Sequence, residues 1–233
     1  MSGRARRLGS FAAVHDLGLR RALLDEALAS DAAALASDLE EVFSAAAMGE
    51  GPSRDAALAV ASWIGRVLAR GDRAALAPLH AAAASLERPL VAAIFAPRPA
   101  ARALARRGRL AEVCIPARRS LDPFAAGPLG RGARGAPPLA HRLREMLVHR
   151  HREHPDPIFI GRLLDAPWIR TSDAVAIAAR RPTSEEIALS VATRDRFFRE
   201  PPVRLAIASN PFSPPELRAA LSAAMRVEEL RVL

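Results

Sequence analysis

Apolar positions return every three or four residues along most of this chain, the spacing of helices buried on one face. Leu17, Arg20, Leu24, Ala27 and Leu28 form one such stripe, and Leu35, Leu39, Val42 and Phe43 continue it. Asp31 between them is expected to N-cap the second of two helices. Gly49-Glu50-Gly51-Pro52 breaks the pattern. Ser53 is expected to cap a helix through Val60, Trp63, Ile64, Val67 and Leu68, stopped by Gly71. Asp72 opens another through Leu76, Leu79 and Ala83, ending before Pro89. Two short apolar pieces follow, PLVAAIFA and the Pro99-led AARALARR. Residues 116–138 (PARRSLDPFAAGPLGRGARGAPP) keep no period, and a loop of that length is either functional or disordered. Leu139 to Arg152 resumes a helix, with Leu143, Met146 and Leu147 on one face. The expected fold class is all-α, built from stacked antiparallel helix pairs. The expected blocks are a frayed N-terminus (1–15), an N-terminal helical region (16–115), an Arg/Gly/Pro-rich loop or linker (116–138) and a repeat block (139–233).

The repeat block carries the clearest internal pattern. Residues 175–192 (VAIAARRPTSEEIALSVA) and 205–222 (LAIASNPFSPPELRAALS) align without a gap at a spacing of 30. In each copy a short apolar helix ends, a turn of Pro, Ser and Thr follows, and an acidic first turn opens a second helix. Glu185, Glu186 and Glu216 suit the positive end of that helix. Ile187 and Val191, and Leu217 and Leu221, lie four apart, so each pair shares one face. A looser third copy is expected at Leu163-Leu164-Asp165-Ala166-Pro167, matched to the segment ending Asn210-Pro211. One helix pair cannot bury its apolar face alone, and stacking neighbours completes the core. Residues 139–233 thus resemble α-solenoid repeats of the HEAT-like and variant leucine-rich-repeat type. That resemblance implies a protein-interaction scaffold.

Aromatic residues are scarce, at 4%, so the core must be made of Ala, Leu, Val and Ile. The net charge is +9, and all 34 basic residues are arginine. Lysine and glutamine are absent and Asn210 is the only asparagine, a bias expected of a GC-rich genome. The location of the charge says more than its sum. Residues 98–152 hold 13 arginines and 3 acids, net +10, whereas residues 1–97 are net −1 and residues 153–233 are neutral. Arg106, Arg107, Arg118, Arg119, Arg131 and Arg134 are therefore the expected contacts for an anionic partner, an acidic protein or nucleic acid. An inert linker is the alternative reading of the same stretch. No apolar run approaches the ~20 residues of a membrane helix, and a cytoplasmic location is expected.

Candidate chemistry is thin. His149, His151 and His154 form H-x-H-x-x-H beside Glu153 and Asp156. On a helix, His149 and His151 point to opposite sides, and Arg150 and Arg152 oppose a cation, so no metal is expected. Cys114, in the apolar context LAEVCIPA, is expected to be a buried small hydrophobe. GPLGRG (127–132) lacks the Lys-Ser/Thr of a phosphate loop. Trp63 is expected in the core, and Trp168 in the core or at a contact surface. Asn210 is expected to organise its Asn-Pro turn, and Arg180 and Arg181 to offset a helix dipole. No catalytic residue and no cofactor are expected. The leading expectation is a non-enzymatic protein–protein interaction scaffold. The alternative is a nucleic-acid-binding solenoid, because some DNA glycosylases are built from HEAT-like repeats. It would draw phosphate contacts from 98–152 and a carboxylate from Asp165 or Asp173 near Trp168.

Overall fold

A computed structural model of the protein describes residues 17–49, 51–96, 146 and 148–225. Among these residues the regular elements are helices and no strand occurs. They are α1 (Leu17–Ser30), α2 (Ala32–Ala47), α3 (Gly51–Ala69), a 3-10 turn (Arg73–Leu76), α4 (Ala77–Ser85), α5 (Pro89–Phe95), α6 (Pro157–Asp165), α7 (Thr171–Ala179), α8 (Glu185–Ala192), α9 (Asp195–Phe198), α10 (Pro201–Ser209) and α11 (Pro215–Ala224). Residues 148–151 are also helical. The chain divides into two compact units, residues 1–98 with 213–233, and residues 99–212. The block expected to be frayed (1–15), the loop 116–138, Cys114 and the six arginines of the basic stretch lie outside the described residues.

In the first unit α3 is the central helix. From Ala56 through Leu68 it is buried on nearly every side, Leu58 and Arg66 alone being partly exposed, and only a helix largely enclosed by neighbours tolerates that. α1, α2 and α11 pack against it. Trp63 is fully buried, as expected, and its indole N–H donates to Asp25 Oδ1 at 2.6 Å. Asp31 caps α2, accepting from the Ala34 N–H at 2.9 Å. Ser53 does not cap α3: the helix starts at Gly51 and takes Ser53 into its first turn. Pro52 fits there because a first-turn N–H has no intrahelical partner to lose. Gly71, with φ +77°, ends α3 as expected, the Asp72 N–H reaching back to Val67 O at 3.2 Å. Glu40 is buried and caps α5 from outside, its carboxylate accepting from the N–H groups of Leu90 (3.2 Å) and Val91 (2.9 Å).

The second copy of the repeat parts at its turn. Its first helix, α10, belongs to the second unit, while α11 packs on α2, α3 and α5 of the first. Leu217, Ala220, Leu221 and Ala224 form the buried face of α11. Glu216 is also buried, and Arg73 pairs with it at 3.2 Å across 143 residues of sequence.

In the second unit α6 packs on α8, and α7 on both α8 and α10. Ile177, Ile187, Val191 and Ile207 are all fully buried, so both copies present their apolar positions inward. The packing assigns α6 a different place from the one its sequence suggests. Leu163-Leu164-Asp165-Ala166-Pro167 resembles the end of α10, but α6 pairs with α8, while it is α7 that pairs with α10. The apolar-then-Pro pattern marks a helix end, and any helix of the set can carry one.

Candidate binding cleft

The second unit is fastened by side chains that reach the C-terminal ends of neighbouring helices. The last carbonyls of a helix have no intrahelical donor. Asn210, fully buried, donates from Nδ2 to Ala178 O (2.7 Å) and Arg180 O (3.0 Å) at the end of α7. Its Oδ1 accepts from the Phe212 N–H at 3.0 Å, which organises the Asn-Pro turn as expected. At the end of α6, Arg196 donates to Leu164 O and, at 2.9 Å, to Ala166 O. Arg194 donates to both oxygens of Asp165 (2.7 and 2.9 Å), to Gly161 O (2.6 Å) and to Ser190 O. A Cβ on Gly161 would stand 3.3 Å from Arg194 Nη2, so the missing side chain gives this guanidinium its berth. Asn210 and Arg196 each span 30 and 32 residues, close to the repeat spacing.

These contacts account for residues weighed as chemistry in the sequence. Asp165 is engaged by Arg194, and Asp173 Oδ2 accepts from the Arg170 N–H at 3.0 Å in the first turn of α7. Trp168 is half-buried in the α6–α7 connection. The three histidines do not converge. His149 is exposed, while His151 and His154 pack on Phe159, with ring centroids 5.4 and 4.2 Å away. His154 Nδ1 accepts from the Asp156 N–H at 3.2 Å. Burial lowers the His151 pKa from its ordinary 6.5, with further lowering from the Arg150 charge and from His154. Among the described residues no three His, Cys, Asp or Glu side chains gather in a way that could hold a metal ion.

What the structure does bring together is a basic cleft. Its volume is about 460 Å³, and Arg152, Glu153, Ala176, Arg180, Arg181 and Pro182 line it. The C-terminal end of α7 supplies one wall and the turn after residue 151 the other. The two are joined by Arg180, whose Nη1 donates to His154 O at 2.7 Å. Arg181 Nη2 donates to Ser209 O at 2.7 Å. The pair read from sequence as offsetting a helix dipole therefore also ties together two helix ends and a turn. Arg152 and Glu153 were visible in the sequence only as neighbours of the histidines. No local pattern brings them to Arg180 and Arg181, some 28 residues away.

No protein-family model, no curated protein and no solved structure matches this chain. Among the described residues no helix is long and apolar enough to cross a membrane.

Proposed function

We propose that the chain is a non-enzymatic protein–protein interaction scaffold whose second unit is a short HEAT-like stack of antiparallel helix pairs. One observation carries this reading. Among the polar residues most suited to chemistry in that unit, Asp165 and Asn210 are engaged between helices and Asp173 in the first turn of α7. A framework braced in this way offers a partner a stable set of surface side chains. The pairing of α6 with α8 and of α7 with α10 agrees with stacked repeats. The carboxylates needed by a glycosylase are those same engaged groups, so the nucleic-acid alternative gains nothing from them. Arg106, Arg107, Arg118, Arg119, Arg131 and Arg134 belong to the proposal as a second, salt-sensitive contact with an acidic partner.

The test is affinity purification of the full chain from lysate of its own host, with and without nuclease. A protein partner retained at constant stoichiometry after nuclease supports the scaffold. Co-purifying nucleic acid, with every protein lost on digestion, overturns it.

A further inference from the structure

The cleft between the end of α7 and the turn after residue 151 has the composition of a recognition site for a carboxylate. Among the described residues, three arginines and one acid line it. A guanidinium carries five N–H donors in a planar fork that matches a carboxylate in two-point contact. Arg181 is already held by its bond to Ser209 O and Arg180 by its bond to His154 O. Both are thus partly ordered before any ligand arrives, which reduces the entropy lost on binding. The volume of about 460 Å³ lies in the range of small-ligand sites and suits a few residues of extended chain.

We propose that this cleft binds an acidic peptide segment of a partner protein, with Arg152 and Arg181 gripping a side-chain carboxylate. The proposal rests on the scaffold reading and names the chemistry of its partner. Glu153 selects between the polyanions that arginines attract. A carboxylate in the lining accepts hydrogen bonds, and a peptide backbone supplies N–H groups to meet it. A phosphodiester backbone has no such donor and only adds negative charge opposite Glu153. Ala176 and Pro182 add an apolar portion of the lining, suited to the methylenes of a glutamate side chain. The site is also distinct from the arginines at the end of α6, because Arg194 and Arg196 face carbonyl and carboxylate oxygens of their own unit.

The experiment uses full-length protein and a fluorescein-labelled hexaglutamate peptide, read by fluorescence anisotropy at low salt. A labelled hexathymidylate of similar charge is the comparison. Arg152→Ser should weaken hexaglutamate binding at least five-fold, and Arg181→Ser similarly. Arg199→Ser, which removes an equal charge from an exposed position outside the cleft, should change it less than two-fold. Glu153→Gln should keep or tighten peptide binding and should tighten hexathymidylate binding more. Circular dichroism melts exclude loss of fold as the cause, and Arg152→Lys provides a second variant that keeps the charge but loses the fork. Equal effects of Arg152→Ser and Arg199→Ser would place the binding elsewhere and overturn the proposal. So would hexathymidylate binding the wild type as tightly as hexaglutamate. Repeating the nuclease-treated purification with the Arg152→Ser protein separates the two readings. A partner retained by that variant leaves the scaffold standing and removes the cleft from it.

Discussion

Asn210 shows how one side chain can join two stretches of a repeat. Its amide meets three backbone groups, two of them at the end of α7, and it is fully buried. Asn210→Ala leaves those carbonyls and the Phe212 N–H without their partner in a dry environment. The expected loss is about 1–3 kcal/mol, measured by urea denaturation with an unchanged m-value. Asn210→Asp at neutral pH should lose at least as much, since two carbonyl oxygens would then face a carboxylate. His151 gives a second expectation at this scale. Its pKa is lowered in the fold, first by burial and then by Arg150 and His154, so below about pH 6.5 the unfolded chain binds more protons than the folded one. The stability that neutral His151 contributes is complete above about 6.5 and is lost as pH falls through the lowered folded value. The urea midpoint should therefore drop between pH 7 and pH 5, and His151→Phe should flatten that part of the profile. An identical slope in the variant would assign the effect to other groups.

Among elements, the helix ends are the most instructive. The ends of α3 and α4 share one hydrogen-bond pattern. After α3 the left-handed position is filled by Gly71, at φ +77°. After α4 it is filled by Glu87, at φ +53°, with the Arg88 N–H bonded to Ala83 O at 2.8 Å. A side chain there is strained because Cβ crowds the following carbonyl. Glu87→Gly should raise stability by about 0.5–1 kcal/mol, the relief of strain being partly offset by a more flexible unfolded chain. Glu87→Ala keeps the Cβ and should bring no such gain. Equal stabilisation by both variants would point to the lost carboxylate instead of the backbone.

For the whole molecule, the decisive feature is that α11 packs within the first unit. Leu217 is fully buried in that core. Leu217→Asp should therefore cost about 3–5 kcal/mol through the lost apolar contacts and a buried unpaired carboxylate. The chain has two tryptophans, one in each unit, which makes the location of that damage measurable. In a Trp168→Phe background, fluorescence reports Trp63 alone. Leu217→Asp should move the Trp63 transition to lower urea. An unmoved Trp63 transition, with a shift reported by Trp168 in a Trp63→Phe background, would mean that α11 stabilises the second unit.

The helical class, most helix limits and the inward faces of both repeat copies were legible in the chain, because they rest on local physics. Ile187 with Val191 and Leu217 with Leu221 share a face at any four-residue spacing, and Asp31 and Gly71 act through bonds to residues within five positions. Ser53 was misread because a Gly-Pro pair serves equally well before a helix or in its first turn. Tertiary structure alone decided the rest. It split the second repeat copy at its turn, since the apolar face of α11 is satisfied by any well-shaped apolar surface and α3 offers one. It matched Arg194 to Asp165 and Arg73 to Glu216, pairs separated by 29 and 143 residues. It also drew Arg152 beside Arg180 and Arg181, where a helix end and a distant turn meet. Hydrophobic spacing sets which face of a helix is buried, but only packing sets what buries it and which charges are thereby brought together.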